Sequence, residues 1–345
     1  MKEQFARINQ RKREHLDIIA DDQDIERSQN GLDRYHLQHR ALPEIALDDI
    51  DTRVNFLGKT LSFPLIISSM TGGDDELICR INRNLAQAAE ACQVAMAVGS
   101  QRVMMREKGA QASFDLREYA PNTVLIGNLG AVQLNYDFGI RECQQAVEIL
   151  SADGLYLHLN PLQEAIQPEG DTDFSNLSDK IAQINRDLNV PVLLKEVGCG
   201  LSLADIALGI KAGIRYFDIA GRGGTSWSRI EYHRRRNHQD TLGLIFQDWG
   251  LPMADALKQA YQHHPEQFFI ASGGIRNGID MAKSIILGAQ LCGIAAPFLA
   301  AAQESAEAVI AQIQQLQQQY RTALFLLGCK NQQQLRGQWQ YFLQD

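Results

Sequence analysis

The chain has 345 residues, a formal net charge of −8, 45% hydrophobic residues and 21% charged residues. This balance supplies a large apolar core and excludes a disordered protein, while the acidic total disfavours a nucleic-acid binder, which needs a basic surface. No stretch reaches the roughly 20 apolar residues of a membrane span, and no apolar signal segment begins the chain. The six cysteines form no close pair that would suggest a zinc or dithiol site. We therefore expect a cytoplasmic protein with reduced thiols and no membrane or nucleic-acid partner.

Short apolar runs alternate with longer amphipathic stretches from Leu65 onward, which is typical of βα units around a parallel sheet. We predict eight strands, each almost continuously apolar as burial on both faces requires: LIISSM at 65, VAMAVGS at 94, TVLIGN at 123, GLYLHLN at 154, VPVLLKEVG at 190, YFDIAG at 216, FFIASGG at 268 and LCGIAAP at 291. Apolar residues three and four apart predict helices in ELICRINRNLAQAAEAC at 76, IRECQQAVEIL at 140, LADIALGIKAG at 203, MADALKQAYQHH at 253 and GIDMAKSIILGA at 278.

Eight such units predict an α/β fold of the (β/α)8 TIM-barrel type. An open doubly wound sheet alternates in the same way, but no GxGxxG turn follows the first strand. About 60 residues precede that strand, and a helix from about Gln303 to Leu327 leads into an Arg/Gln-rich tail. We expect one domain over residues 1–345, with the barrel proper at about 65–327, an N-terminal extension and a C-terminal helical tail.

Polar or small residues follow nearly every predicted strand, where the carboxyl ends of barrel strands share one mouth. A single Asn or Ser in such a place more often caps the next helix than binds a ligand. Uncharged donors and acceptors from several strands nevertheless suit a flat heteroaromatic ring such as a flavin. The strand-end residues are Ser69, Met70, Thr71, Gly72, Ser100, Gln101, Arg102, Asn128, His158, Asn160, Gln163, Glu164, Lys195, Glu196, Thr225, Ser272 to Ile275, Ala295 and Ala296.

Lys195 lies inside the apolar run VPVLLKEVG. A lysine there must extend to the surface, pair with an acid such as Glu196, or face bound negative charge. We favour the last alternative, because a cation near the N1 and O2 edge of a flavin would stabilise its anionic reduced form.

Two glycine-rich turns, GRGGTSW at 221 and SGGIRNG at 272, follow the sixth and seventh strands. Their backbone N–H groups stand ahead of helices whose dipoles favour an anion. The loops after strands seven and eight form the recurrent phosphate site of such barrels. The sequence therefore predicts a phosphate group at these turns.

A phosphate-ester substrate needs a second anion site. Arg11 and Lys12 in RKREH, with Arg102 and His158, offer one, although an isolated basic helix is more often a solvated face. His15 belongs to the same basic segment. In HLNPLQEAIQPEG, a glutamine and a glutamate directly follow a strand, where the carboxylate can hold Mg²⁺ shared with substrate phosphates.

Eight motifs occur in order along essentially the whole chain: RKREH at 11, LDRYHLQHRALPEI at 32, SSMTGG at 68, AVGSQR at 97, HLNPLQEAIQPEGD at 158, VPVLLKEVG at 190, GRGGTSW at 221 and SGGIRNG at 272. Together they resemble the type 2 isopentenyl-diphosphate isomerases, and the combination of MTGG, GSQR, HLNxxQE and KEVG is specific to that family. The resemblance implies FMN-dependent interconversion of isopentenyl and dimethylallyl diphosphate in isoprenoid biosynthesis, with Mg²⁺ on the diphosphate and NADPH as the reductant of the flavin.

The resemblance also implies roles for particular residues. FMN contacts are expected at Met70, Thr71, Gly72, Ser100, Asn128, Lys195, Thr225, Gly274, Arg276, Ala295 and Ala296. Substrate contacts are expected at Arg11, Lys12, Ser100, Arg102, His158, Asn160 and Gln163, a Mg²⁺ ligand at Glu164, and catalytic roles at His158, Gln163 and Lys195, with Gln163 and Glu164 as alternative proton relays. A homotetramer or homo-octamer is expected, in which the N-terminal basic segment closes a neighbouring site.

Moving an unactivated alkene requires adding a proton at one carbon and removing one at another, for which ordinary side-chain acids are poorly matched. We expect N5 of reduced FMN to deliver and retrieve the protons while the diphosphate fixes the alkene over the ring. One alternative is an FMN-linked oxidoreductase of 2-hydroxy acids, but its HGxR-type segment is absent from the later strands. Another is a non-catalytic phosphometabolite-binding barrel, which would explain the glycine turns but not Lys195 or the Gln-Glu pair.

Overall fold

Eight parallel strands close into a barrel. The computed structural model describes residues 14–15, 18–19, 21–27, 29–73, 75–235 and 239–343. Its strands are β1 Val54–Phe56, β2 Lys59–Leu61, β3 Leu65–Ile67, β4 Ala95–Ala97, β5 Leu125–Gly130, β6 Gly154–His158, β7 Val192–Lys195, β8 Tyr216–Asp218, β9 Phe268–Ser272 and β10 Leu291–Ile294. Strands β3 to β10 pair in chain order, and β10 closes the ring on β3. The eight predicted strands and the (β/α)8 fold are confirmed.

Helices surround this ring. They are α1 Glu76–Cys92, α2 Arg102–Arg106, α3 Ile140–Leu150, α4 Pro161–Ile166, α5 Leu177–Asp187, α6 Leu203–Lys211, α7 Trp227–Arg234, α8 Leu242–Ile245, α9 Met253–His263, α10 Gly278–Ile286, α11 Pro297–Glu304 and α12 Ala306–Leu327. Short 3-10 segments lie at Gln23–Ile25, Leu32–Arg34, Leu47–Asp49, Lys108–Ser113, Ala131–Asn135, Gln332–Gln334 and Trp339–Tyr341. The five predicted helices all begin at the expected residue. Within the described ranges, no helix combines the length and apolar character needed to cross a membrane.

The first helix shows why these segments are helical. The Asp75 side chain accepts a hydrogen bond from the N–H two residues on, which satisfies one unpaired donor of the first turn. Ile78, Ile81 and Leu85 recur at helical spacing and are buried. Gln93, with a φ of 51°, ends the helix in the left-handed region. The apolar face packs against α11 and α12.

The C-terminal helix differs from the prediction in its start. A single helix from about Gln303 was expected, but the structure ends α11 at Glu304 and begins α12 at Ala306. Ser305 separates the two because it is extended and its side chain accepts the N–H of Ala308, so it begins a new helix rather than continuing the old one. The predicted end at Leu327 is confirmed, and Gly328 follows it with a φ of 70°.

A hairpin in the N-terminal extension closes the amino end of the barrel. Strands β1 and β2 are antiparallel and joined by Leu57 and Gly58, both with positive φ as such two-residue turns require. The buried ring of Phe56 stacks on Phe268 at a centroid distance of 5.2 Å and meets the edge of Tyr216 at 6.1 Å. Since β8 and β9 begin at these two aromatic residues, the hairpin plugs the lower mouth with apolar side chains. A ligand therefore has access from the carboxyl ends of the strands.

Close packing of α6 on the barrel predicts the effect of one added methyl group. A Cβ at Gly209 would lie 2.6 Å from Phe217 Cε1 and 2.9 Å from Leu194 Cδ1. Gly209→Ala should lower the free energy of unfolding by about 1–3 kcal/mol, although alanine is intrinsically the better helix former. Urea denaturation measures this, and the control Ala207→Ser on the exposed face of α6 should change it by less than about 0.5 kcal/mol. A Gly209→Ala variant as stable as the parent would contradict this packing.

Candidate functional site

A cleft of about 200 Å³, open to solvent, lies at the carboxyl ends of the barrel strands. Fourteen of the predicted site residues line it, which brings together side chains from all parts of the chain after residue 65. These residues are Met70, Ser100, Arg102, Asn128, His158, Asn160, Gln163, Glu164, Lys195, Thr225, Gly274, Arg276, Ala295 and Ala296.

Four predicted site residues are not part of this lining. Thr71 is buried, and its carbonyl oxygen accepts a hydrogen bond from Asn82. Gly72 lies against Phe114, whose ring a Cβ at this position would overlap. Both therefore support the cleft wall behind Met70. Residues Arg11 and Lys12 lie outside the described residues.

The two glycine-rich turns pack directly against each other. Gly273 and Gly274 have φ values of 115° and 88°, which side chains rarely tolerate. A Cβ at either position would overlap a backbone carbonyl oxygen, that of Gly221 or of Gly223 respectively. Glycine is therefore required here by backbone-to-backbone packing. Because these positions carry no side chain, a ligand can approach the main chain closely.

The N-terminal extension lies across these turns. The backbone N–H of Arg27 donates to Gly224 O at 3.0 Å, and Asn30 Nδ2 donates to Gly274 O at 2.8 Å. Arg276 forms an ion pair with Glu26, with 2.9 Å between Nη2 and Oε1. The predicted phosphate-binding turns are thus fixed by a segment that comes before the barrel in the chain.

Lys195 reaches the cleft from β7 and is only 7% exposed. Its Nζ donates to the backbone oxygen of Glu196 at 2.6 Å. The Glu196 carboxylate is instead engaged by backbone N–H groups, including those of Val197 and Gly198 at 2.7 and 2.6 Å. The alternative in which the lysine pairs with the Glu196 side chain is therefore not the observed arrangement. A buried ammonium beside a cleft is available to a bound anion or to an electron-rich ring edge.

The His158 ring is oriented by Asn128. Its Nδ1 lies 2.8 Å from Asn128 Oδ1, while Asn128 Nδ2 donates to Val98 O at 3.1 Å. Because the amide oxygen can only accept, Nδ1 is assigned as the protonated nitrogen. A neutral His158 then has an acceptor at Nε2, and a protonated one has a second donor there. The imidazole can bind a phosphate oxygen in the protonated state.

Glu164 lies at the centre of an oxygen-rich corner and is 6% exposed. Its carboxylate accepts from Asn160 Nδ2 at 2.9 Å, from the Asp171 N–H at 2.7 Å and from the Gln167 amide. The buried Oδ1 of Asn160 has no hydrogen-bond partner among the described residues. An unpaired oxygen beside a carboxylate suits a hard cation such as Mg²⁺.

Arg102 is held beside this corner by Asp171, with 2.8 Å between Nη1 and Oδ2. Gln133 Nε2 donates to the same carboxylate at 3.0 Å. Asp171 therefore connects a cation at the mouth to Glu164, whose carboxylate accepts the Asp171 backbone N–H. A guanidinium fixed in this way is positioned to bind an incoming phosphate with two N–H groups.

Glu231 on α7 orients Gln163. It is fully buried, and its Oε1 accepts from Gln163 Nε2 at 3.1 Å and lies 3.3 Å from His15 Nε2. Its other oxygen binds Arg234. Burial alone would raise the pKa of Glu231, but the hydrogen bond from His15 and the charges of His15 and Arg234 lower it to about 2. A carboxylate that is ionised at neutral pH thus fixes the amide of Gln163.

The donor set fits both FMN and Mg²⁺. The buried hydroxyls of Ser68 and Ser69 at the end of β3 have no hydrogen-bond partner among the described residues, and such groups can bind polar edges of a flavin. The glycine-rich turns expose backbone to the cleft, and Lys195 supplies a cation. Among the described residues, no cluster of three or more His, Cys, Asp or Glu side chains could hold a metal. A bound Mg²⁺ would therefore be coordinated by Glu164, the amide oxygen of Asn160, water and oxygen atoms of the ligand.

Two cleft residues have no role predicted from the sequence, although one of them, Gln167, lies within the motif HLNPLQEAIQPEGD. Gln133 and Gln167 line the cleft from the segments after β5 and α4. Gln133 lies in the 3-10 segment Ala131–Asn135 that follows β5, so a strand-end rule extended to the whole following segment could have found it. Gln167 donates to Glu164, three positions earlier, so its signal is the short spacing to the predicted metal ligand. The buried role of Glu231 has no local signal, because its contact with Gln163 joins positions 68 residues apart.

Comparison with known proteins defines the class. The family model described as FMN-dependent dehydrogenase matches residues 6–119 and 160–340. The barrel also resembles that of mandelate oxidase, with a TM-score of 0.65 and 17% identity over 94% of this chain and 92% of that one. A flavocytochrome b2 variant gives a TM-score of 0.66 and 15% identity over 92% and 79% of the two chains. The chain belongs to the FMN-dependent dehydrogenase family.

Relatives at higher identity narrow the assignment. The chain is 64% identical over 323 residues to isopentenyl-diphosphate delta-isomerase of Paracoccus zeaxanthinifaciens, covering 92% of this chain and 93% of the relative. It is 59% identical over 322 residues to the enzyme of the same name from Hydrogenovibrio crunogenus, covering 93% and 94%. The chain is a member of the isopentenyl-diphosphate delta-isomerase family, as its motifs indicated. The hydroxy-acid oxidoreductase and the non-catalytic barrel are thereby disfavoured.

The Glu231 network predicts a stability change that depends on pH. Glu231→Gln leaves Arg234 and His15 without their buried counter-charge and should lower the free energy of unfolding by about 2–4 kcal/mol near pH 6. Because the folded-state pKa is lowered, the contribution is complete above the ordinary value of 4.5 and is lost as the pH falls towards about 2. Urea denaturation at several pH values should show the deficit narrowing below pH 4.5.

Glu169→Gln is the matched control. Glu169 binds the opposite side of Arg234 at 2.7 Å, but its side chain is 49% exposed. Its substitution should cost less than about 1 kcal/mol. An equal decrease in the free energy of unfolding in the two variants would show that burial of Glu231 does not strengthen its interaction with Arg234.

Proposed function

We propose that the chain interconverts isopentenyl diphosphate and dimethylallyl diphosphate in isoprenoid biosynthesis, with bound reduced FMN and Mg²⁺. The observation that carries this proposal is the combination, in one cleft, of a flavin-compatible strand-end surface with Arg102 and His158 beside the Glu164 corner. The names of the relatives support the same reaction. Residues 1–345 would form a single domain.

The diphosphate would be bound on the side of the cleft formed by β4, β6 and α4. Arg102, His158 and Asn160 supply a guanidinium, an imidazole and an amide, and Ser100 and Gln163 complete the contacts. Glu164 would hold Mg²⁺ together with phosphate oxygens, which neutralises part of the diphosphate charge. Arg11 and Lys12 would add cations from the N-terminal segment. Binding the charged end firmly fixes the alkene relative to the acid and base.

FMN would occupy the remaining side of the cleft. Its proposed contacts are Met70, Thr71, Gly72, Ser100, Asn128, Lys195, Thr225, Gly274, Arg276, Ala295 and Ala296. Thr71 and Gly72 would act through the backbone that supports Met70, since neither lines the cleft. The glycine-rich turns suit the phosphate of the cofactor because their backbone permits close approach. Lys195 would present its ammonium to the ring edge.

Proton transfer at carbon is the demanding step. Reduced FMN, when bound, would supply an acid and base at N5. The chain excludes bulk water below the site through its apolar plug and orients Gln163 through Glu231 at 3.1 Å. Gln163 would hold the reacting end in place or relay a proton, with Glu164 as the alternative relay. His158 would keep its Nδ1 proton on Asn128 and bind the diphosphate through Nε2.

The remaining proposals rest on family membership. NADPH would reduce the flavin without being consumed in proportion to product. The chain would assemble as a homotetramer or homo-octamer in the cytoplasm, with the N-terminal basic segment closing a neighbouring site.

An anaerobic assay tests the function. Purified protein with FMN, Mg²⁺ and isopentenyl diphosphate should form dimethylallyl diphosphate only when NADPH or another reductant is present, without stoichiometric NADPH oxidation. A 5-deaza analogue of FMN should abolish turnover, since it lacks the nitrogen at N5. Absence of product, or NADPH oxidised in step with a second substrate, would favour an oxidoreductase.

Glu164 gives a specific prediction for the metal. Glu164→Gln removes the charge that attracts Mg²⁺, so the Mg²⁺ concentration for half-maximal turnover should rise at least about tenfold. FMN affinity, measured by fluorescence quenching, should change by less than about twofold. Glu169→Gln, an exposed carboxylate five positions away, is the control and should retain the parental Mg²⁺ dependence. An unchanged Mg²⁺ requirement in Glu164→Gln would exclude this residue as the ligand.

A further inference from the structure

A buried carboxylate lies directly beneath the proposed flavin site. Asp218 ends β8 and is 1% exposed. Tyr156 Oη donates to its Oδ2 at 3.2 Å, and the Ser272 hydroxyl donates to its Oδ1. In the strand register, Asp218 is the neighbour of Lys195. Four adjacent strands, β6 to β9, therefore each place one polar side chain in the same region of the barrel interior.

The adjoining lysine belongs to this group. Lys195 Nζ lies 5.8 Å from the centre of the Tyr156 ring, on the face of the residue whose hydroxyl binds Asp218. The ammonium donates to the Glu196 carbonyl rather than forming a direct ion pair with Asp218. The two opposite charges thus interact across a short distance through the barrel interior, and Tyr156 contacts both.

Burial of this carboxylate has no evident benefit for folding. Leu193, Ile270 and Leu291 in the adjoining interior are apolar and fully buried, as barrel interiors usually are. Burial raises the pKa of Asp218, and the Lys195 charge followed by the Ser272 and Tyr156 hydrogen bonds opposes that rise. A buried carboxylate costs several kcal/mol of desolvation unless nearby charge and donors compensate it. Asp218 adjoins Lys195 in the strand register, so we infer that its role is electrostatic.

We propose that Asp218 is a positioning residue that acts as the counter-charge of Lys195 and thereby sets the reduction potential of the bound flavin. The proposal rests on FMN occupying the cleft beside Lys195. An uncompensated ammonium at the ring edge would favour the negatively charged reduced flavin strongly. The carboxylate moderates that preference, while its hydrogen bonds with Tyr156 and Ser272 hold it in place.

The direction in which the reduction potential should change follows from the charge of Asp218. Asp218→Asn keeps the size and one acceptor oxygen, its amide nitrogen can donate to the other hydroxyl oxygen, and it removes one negative charge from the low-dielectric interior. Reduced FMN should then bind more tightly relative to oxidised FMN, by about three- to thirtyfold for charges within the barrel interior. A tenfold change corresponds to about 30 mV for a two-electron couple. The midpoint potential of bound FMN should therefore become more positive.

The experiment is equilibration of the FMN-loaded protein with a reference dye under anaerobic conditions, read by visible absorbance, with circular dichroism as the folding check. Asp218→Asn is the principal variant, and Asp218→Ser is a second neutral variant of smaller size. Ile270→Val is the matched control, because Ile270 pairs with Asp218 in register and is equally buried but carries no charge. It perturbs packing and should leave the potential unchanged.

A positive shift in both neutral Asp218 variants, absent from Ile270→Val, supports the proposal. An unchanged or more negative potential, or the same shift in Ile270→Val, overturns it. If the parental protein binds FMN and isomerises its substrate but the Asp218 variants show no shift, only this inference fails. If the parental protein binds no FMN, the proposed function fails and this inference fails with it.

Discussion

Closure of the barrel is the constraint on which the rest of the molecule depends. Pairing of β10 with β3, with Cys292 opposite Leu65 and Ile294 opposite Ile67, leaves no open edge and directs every strand end to a common mouth. Residues as distant in sequence as Ser69 and Ala296 therefore line one cleft. The hairpin plug at the other mouth makes this cleft the accessible face.

Charges at the mouth are balanced in pairs before any ligand is present. Arg102 pairs with Asp171, and Arg276 pairs with Glu26. A phosphate group that binds at either guanidinium must therefore compete with the carboxylate that is already paired with it. The pairing also explains how an acidic protein can present a site for a highly charged anion: its local cations are fixed in geometry although its net charge is −8.

The elements of the fold were largely predictable because their signals are local. Strand hydrophobicity located all eight barrel strands, and apolar spacing gave the first residue of α1, α3, α6, α9 and α10. The strand-end rule and the motifs located fourteen residues that line the cleft. The hairpin plug and the break at Ser305 were not predicted, since the first depends on packing beneath the barrel and the second on one side-chain cap. The contact of Glu231 with Gln163 joins positions 68 residues apart, which no local pattern encodes.

The N-terminal extension is better regarded as part of the site than as an addition to the barrel. His15 approaches the buried Glu231 at 3.3 Å, and its ring also meets Trp227 edge-on at 5.2 Å. Since Glu231 in turn holds Gln163, a residue from the extension helps to set the orientation of an amide in the cleft. Asn30 fixes the glycine-rich turns through its side-chain amide, and Arg27 does so through its backbone N–H. The loops of the barrel supply most of the functional groups, but the extension completes the charge balance and the geometry that those groups need.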